Sequence, residues 1–335
     1  VFYSRVRKYG SSLEASLDAD RIPASVYQTL VEQANEHLHV LHRYFRLRAR
    51  MMGITDMCYW DIYPPLVSGE LSFPIERGKE LVLDAMIPLG PEARQSIAEG
   101  FSARWMDVYP RQGKKSGAYM NGHVYDVHPY VLMNYNDDYE SVSTLAHEWG
   151  HALHSYLTNQ SQHFVNADYS IFVAEVASTL NEALLLHRML EESTSPAERL
   201  FYLGHALEQL RGTFFRQSMF AEFELAIHER VEGGEALTAD DFSELYGELI
   251  RRYHGHEDGV VDIDEIFHLE WAYIPHFYYN FYVYQYATSV AAASYLAEQI
   301  LDGAPGATEA YLDLLRAGGA GYPYDLLVKA GVDLA

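Results

Sequence analysis

The sequence contains a single cysteine, Cys58, among its 335 residues. No internal disulfide can therefore form, nothing indicates an oxidising compartment, and we expect the protein in the cytoplasm. A protein metal site in this chain would have to use histidine and carboxylate ligands rather than a set of thiolates.

Basic residues and long apolar runs are also scarce. Lys and Arg number 24 against 47 Asp and Glu, a net charge of −23. Phosphate binding relies on basic surface, so this balance argues against nucleic acid and against an anionic membrane as partners. No apolar run approaches the roughly 18 residues of a membrane-spanning helix. A starting methionine is missing as well, and we expect the natural N-terminus upstream of Val1.

Helical periodicity dominates what is present, in a chain that is 49% hydrophobic and long enough for a deep core. A loop is predicted over Tyr59–Phe73, and three glycines among β-prone residues predict a hairpin or small sheet at about 105–135. Helices are predicted at roughly 12–52, 75–86, 91–108, 140–158, 171–193, 196–232, 239–254, 276–301, 307–316 and 323–331.

This pattern predicts a mainly α fold with one catalytic-type domain over residues 1–335. Its parts would be a helical lead-in (1–104), the small β region (105–135) and a helical region (136–335). We find no internal repeat and no interdomain linker.

The sharpest local motif is His147-Glu148-Trp149-Gly150-His151. Histidines at i and i+4 leave the same face of a helix and can share one ion, and Glu148 can reach a water on that ion. This is the HExxH arrangement, in which zinc lowers the pKa of a bound water toward about 7 and the glutamate takes its proton. The alternative is a pair of surface histidines on an acidic helix. The neighbouring apolar residues disfavour it, because they predict a buried helix.

A catalytic zinc site needs a third protein ligand. Glu175 and Glu182 lie seven residues apart, on one face of an otherwise apolar helix, and buried carboxylates are rare unless they are paired or metal-bound. We predict Glu175 as the third ligand and Glu182 as the partner that orients a ligand histidine. The rival ligands are His163 and Asp168 in the preceding polar segment. His154 is expected behind the ligands rather than on the metal.

A third cluster of aromatic residues follows His276. On the predicted helix, Tyr279, Tyr282 and Tyr286 share one face at i, i+3 and i+7. Imidazole and phenol donors of this kind can stabilise a tetrahedral oxyanion. The alternative is an aromatic core helix.

Five stretches of the sequence, in order, resemble the thimet oligopeptidase/oligopeptidase F family of zinc metallopeptidases, and oligopeptidase F most of all. They are Gly113–Tyr119, the HExGHxxH element at His147–His154, the EVAST element at Glu175–Thr179, Ile274–Tyr278 and Gly318–Pro323. The segment from Leu38 to Leu66 is also similar, so the resemblance spans nearly the whole chain.

The resemblance implies a helical zinc endopeptidase that cleaves short peptides in a channel beside the small sheet, with one zinc ion per chain. His147, His151 and Glu175 would be its ligands and Glu148 the general base. His276 and one or more of Tyr279, Tyr282 and Tyr286 would stabilise the oxyanion.

Two substrate contacts also follow from the resemblance. The strand around Gly117, Ala118 and Tyr119 would pair with the substrate backbone. The loop at Gly318 and Gly319 would flex over bound peptide, unless it is a plain helix-ending turn. Members of this family are longer, so we expect a fragment that lacks the N-terminal region and the last C-terminal helices.

Two other functions remain open on the sequence. One is a peptidyl-dipeptidase or metallocarboxypeptidase, which would need a cationic anchor for a terminal carboxylate. The other is a catalytically idle, peptide-binding fragment.

Overall fold

The structure is a computed structural model that describes residues 1–67 and 71–335, and it confirms the mainly α fold. Residues 68–70, inside the predicted loop Tyr59–Phe73, lie outside the described residues. The helices are α1 (Phe2–Val6), α2 (Ser12–Leu17), α3 (Ala24–Glu36), α4 (Leu38–Met52), α5 (Ile75–Ala85), α6 (Pro91–Ser102), α7 (Tyr139–Ser161), α8 (Ile171–Glu192), α9 (Pro196–Leu210), α10 (Arg216–Glu232), α11 (Ala239–His254), α12 (Tyr284–Leu301), α13 (Ala307–Ala317) and α14 (Pro323–Lys329). Short 3₁₀ turns cover Asp18–Asp20, Tyr59–Ile62, Ile87–Leu89, Phe164–Asn166, Glu265–Tyr273 and Pro275–Tyr279, and a π turn covers Arg211–Phe215. None of the helices described is both long enough and apolar enough to cross a membrane.

The described residues form two compact units. Unit 1 contains 1–67, 204–288 and 334–335, and unit 2 contains 71–203 and 289–333. The division passes through α9 and α12. One catalytic domain over the whole chain stays a prediction.

Unit 2 holds the small sheet that the sequence predicts. Its strands are β1 (Met106–Asp107), β2 (Tyr119–Asn121) and β3 (Tyr130–Leu132), in the order β1-β3-β2. Strands β2 and β3 form the antiparallel hairpin, whereas β1 runs parallel to β3. Strand β2 therefore lies at an edge of this sheet.

Helices α7 and α8 form the centre of unit 2. Leu145, Leu153 and Leu180 are almost completely buried, and each such leucine stabilises the fold by about 1.5–3 kcal/mol. Gly150 sets how closely the two helices approach, because a Cβ there would lie 2.5 Å from the carbonyl oxygen of Ala177. The Asn181 side chain also crosses the contact and donates a hydrogen bond to the carbonyl oxygen of Ala146, at 3.1 Å.

Two predicted helices are shorter than expected, each next to a left-handed residue. The helix predicted over 91–108 ends at Ser102, because Arg104 has φ +65° and the chain then enters β1. The helix predicted from residue 276 begins only at Tyr284, because Asn280 and Phe281 have φ of +46° and +54°. Such angles cannot continue a right-handed helix.

Candidate metal centre

Helix α7 carries both histidines of the HExxH motif. It begins where the Asp138 side chain accepts a hydrogen bond from the backbone N–H of Ser141, at 2.8 Å. One helical turn separates His147 from His151, and their ring centroids lie 4.9 Å apart. The two imidazoles therefore leave the same face, as the spacing predicts.

Helix α8 brings Glu175 to the two histidines. Its Oε2 lies 3.5 Å from His147 Nε2 and 3.6 Å from His151 Nε2. One potential ligand atom from each of the three residues falls within 4.8 Å of the others. Among the residues described, this is the cluster of histidines and carboxylates that could hold a metal ion.

Two further side chains orient these groups. Glu182 lies seven residues after Glu175, on the same face of α8. It accepts a hydrogen bond from His147 Nδ1 at 2.9 Å. Ser178 Oγ donates to Glu175 Oε2 at 3.0 Å. Glu182 is predicted from the sequence, whereas Ser178 is not. The i, i+3 spacing from Glu175 is the signal that would have found it.

The electrostatics of the cluster favour a cation. Burial alone would lower the pKa of His147, but the hydrogen bond to Glu182 and the charges of the neighbouring carboxylates raise it to about 9. Burial and the nearby His147 hold the pKa of His151 well below its ordinary value, so that ring is neutral and ready to act as a ligand.

Glu148 lies beside the cluster and is only 6% exposed. Burial raises the pKa of its carboxyl to about 7, although a hydrogen bond from the Met120 backbone opposes the shift. Its Oε2 is buried and has no hydrogen-bond partner in the described structure. Two imidazoles, one carboxylate and a neighbouring carboxylate with an unused oxygen fit a catalytic zinc site with an open position.

The other candidates on α7 and in the following segment are not part of the ligand cluster. His154 is fully buried and stacks on Tyr169 at 3.6 Å between ring centroids. Neither of its ring nitrogens has a hydrogen-bond partner, so it donates no hydrogen bond to the histidines of the cluster. The rival ligands His163 and Asp168 do not belong to the three-residue cluster.

Gly117 and Tyr119 lie at the start of the edge strand. Gly117 has φ +83°, and its carbonyl oxygen accepts a hydrogen bond from Asn134 Nδ2 at 2.7 Å. Ala118 leads from it into β2, where the Tyr119 side chain is exposed. Because Met120 in the same strand bonds to Glu148, this edge of the sheet lies next to the metal cluster.

The two glycines after α13 make close backbone contacts. Gly319 N–H donates to the carbonyl oxygen of Asn166 at 2.9 Å. A Cβ on Gly318 would lie 2.6 Å from that same oxygen, and a Cβ on Gly319 would lie 2.5 Å from the carbonyl oxygen of Asp168. In this structure the loop therefore packs against the segment between α7 and α8.

The aromatic cluster belongs to unit 1, whereas the metal cluster belongs to unit 2. Tyr279 and Tyr282 precede α12, so the predicted single helical face is wrong. The four rings are nevertheless neighbours, since the centroid of His276 lies 6.2 Å from Tyr279, 5.9 Å from Tyr282 and 6.3 Å from Tyr286. The Tyr279 side chain is 63% exposed.

Comparisons with known proteins agree over the whole chain. The profile of peptidase family M3 matches residues 3–335. Oligopeptidase PepF of Bacillus subtilis is 46% identical over 334 residues, which are 99% of this chain and 49% of that protein. A crystal structure from Chlamydophila abortus superposes with a TM-score of 0.92 at 39% identity, covering 100% of this chain and 56% of that one. Oligoendopeptidase-F from Enterococcus faecium superposes at 0.77 and 38% identity, covering 99% and 52%. The chain spans about half the length of the curated relatives it matches.

Proposed function

We propose that this chain, which belongs to peptidase family M3, carries the catalytic centre of a zinc-dependent oligopeptidase. The observation that carries the proposal is the convergence of His147, His151 and Glu175 within 4.8 Å, beside the buried carboxyl of Glu148. Its substrates would be short peptides, as the names of the relatives suggest for those proteins.

In this proposal the three converging residues hold one zinc ion per chain. A bound zinc ion acidifies water and polarises a peptide carbonyl. Glu182 holds the His147 ring by its Nδ1 and so presents Nε2 to the site. Ser178 fixes one oxygen of Glu175 in the same way.

Glu148 is the proposed general base. Its buried, unpartnered Oε2 would take a proton from the attacking water and return it to the leaving amine.

The proposal also keeps two roles that the sequence predicts. His276 with Tyr279, Tyr282 or Tyr286 would donate hydrogen bonds to the oxyanion that forms at the peptide carbonyl. The exposed edge strand, entered through Gly117 and Ala118, would pair with the substrate backbone.

The test is zinc stoichiometry together with cleavage of a quenched-fluorescent peptide. We expect one zinc per chain and cleavage by the unaltered chain. Glu148→Gln should keep the metal and lose about 100-fold or more in kcat, because only the proton transfer is removed. Glu175→Gln should lose the metal.

Glu99→Gln is the matched control, since Glu99 is an exposed glutamate of unit 2 on α6. It should leave both zinc content and cleavage unchanged. The mechanism is wrong if the chain binds no zinc, or if Glu148→Gln cleaves as fast as the control.

Product analysis separates the proposal from its alternatives. An endopeptidase cuts a peptide whose two termini are blocked, whereas a peptidyl-dipeptidase or metallocarboxypeptidase needs the terminal carboxylate. Mass spectrometry of the products decides between them, and binding without cleavage would indicate an idle peptide-binding chain. The cytoplasmic location stays a prediction, which cell fractionation tests.

A further inference from the structure

A cavity of about 480 Å³ opens in unit 2 directly beside the metal cluster. His151 and Glu175 form part of its lining, so a group inside it would lie next to the reacting atoms. The rest of its lining comes from β2 and the connection that follows it, from α7, from the segment between α7 and α8, and from the first turn of α8.

The walls of this cavity are tied together by specific contacts. Gly122 approaches α7 so closely that a Cβ would lie 2.1 Å from Ser155 Oγ, and its carbonyl oxygen accepts a hydrogen bond from Asn159 Nδ2 at 3.2 Å. Ser155 Oγ is also hydrogen-bonded to Tyr169 OH at 2.7 Å. Gly319 holds the segment before Tyr169 through its bond to Asn166. These contacts hold the walls of the cavity in fixed positions relative to one another.

The lining mixes apolar and polar side chains, and the exposed Asp168 is its carboxylate outside the ligand cluster. Phe164, which is 70% exposed, and Ile171 offer apolar surface. Asp168 also lines the cavity, and its Oδ1 accepts a hydrogen bond from the Tyr169 backbone at 3.0 Å. No Lys or Arg lines the cavity, and none forms an ion pair with Asp168 within the described residues. A long aliphatic stem with a cationic end matches these features.

We propose that this cavity takes the side chain of the substrate residue next to the scissile bond, and that Asp168 makes it prefer lysine or arginine there. The inference rests on the proposed function, because it requires a peptide lying across the metal cluster. The net charge of −23 acts in the same direction, since it attracts cationic peptides.

Binding is measured first, on the Glu148→Gln chain so that no peptide is consumed. The probes are short fluorescent peptides, blocked at both ends, in two series that vary one or the other of two adjacent central residues. Lysine or arginine should bind about fivefold tighter than norleucine, which has the same aliphatic stem without the charge. Adding Asp168→Asn should abolish the difference.

The control for charge is Asp126→Asn, because Asp126 is an exposed aspartate of unit 2 that does not line the cavity. It should keep the preference for lysine. Thermal melting of both variants checks that each is folded.

Cleavage by the unaltered, zinc-loaded chain is then compared across the same peptides by kcat/KM. A preference for lysine in either series that disappears in the Asp168→Asn variant supports the inference. Equal binding of lysine and norleucine in both series overturns it, even if all peptides are cleaved. A lysine preference in binding without any cleavage leaves the pocket standing and refutes the proposed peptidase activity.

Discussion

At the scale of single residues, the contact between Glu182 and His147 shows how a half-buried carboxylate orients an imidazole of the proposed metal site. The carboxylate accepts the proton of Nδ1 at 2.9 Å and so leaves Nε2 as the nitrogen that faces Glu175, 3.5 Å away. Ring orientation and tautomer are thereby set by one hydrogen bond.

Removing this contact should weaken the metal site without destroying it. We expect Glu182→Ala to lower zinc affinity by about 10- to 100-fold, measured by competition with a chelator. Glu182→Gln, which keeps a carbonyl oxygen as acceptor, should recover part of the loss. Equal affinities in both variants and the native chain would contradict this role.

At the scale of elements, Glu224 of α10 anchors the turn just before Tyr284, where the sequence predicts a helix instead. It is completely buried, and its Oε1 accepts a hydrogen bond from the backbone N–H of Phe281 at 2.6 Å, while Oε2 has no partner. Burial raises the pKa of this carboxyl from 4.5 to about 7, although the bond from Phe281 opposes the shift. The turn carries Tyr282 and lies beside the segment that carries His276.

The raised pKa of Glu224 predicts a pH dependence of stability. The unfolded chain releases this proton near pH 4.5 and the folded chain only near pH 7, so the free energy of unfolding falls as pH rises through that window. Glu224→Gln cannot lose a proton and escapes this fall. Its stability relative to the native chain should rise by up to about 3 kcal/mol between about pH 5 and pH 8.

Urea unfolding of both chains at each pH measures that difference. Other titrating groups are common to the two chains and cancel. A difference that is the same at both pH values would show that Glu224 ionises normally in the folded state.

At the scale of the whole molecule, the excess of 47 acidic over 24 basic residues creates a negative field around the chain. Such a field raises the local concentration of cationic peptides, and salt screens it over a Debye length of about 10 Å at 0.1 M. Attraction of this kind acts on encounter and binding rather than on bond cleavage.

The corresponding prediction concerns salt. Raising ionic strength from about 20 mM to about 300 mM should increase the KM of a lysine-containing peptide several-fold and leave its kcat unchanged. The KM of the matching norleucine peptide should change little. Steady-state kinetics on the two peptides test this, and a salt effect of equal size on both would exclude charge attraction as its cause.

The features that depend on local periodicity could be predicted from the amino-acid sequence. Histidines at i and i+4 and glutamates seven residues apart share a helical face in any buried helix, so His147, His151, Glu175 and Glu182 could be named in advance. The single cysteine limited the candidate metal ligands to His and carboxylate. The glycine-rich β-prone segment likewise predicted the hairpin of β2 and β3.

The features that join distant residues could not be predicted in this way. The parallel pairing of β1 with β3, the close approach at Gly150 and the cavity beside Asp168 depend on packing between separate segments, which no local pattern encodes. The break before Tyr284 depends on the left-handed Asn280 and Phe281, which α10 holds through Glu224. The periodic aromatic residues alone cannot show that the backbone N–H of Phe281 will bond to a buried carboxylate from another helix rather than within a helix of its own.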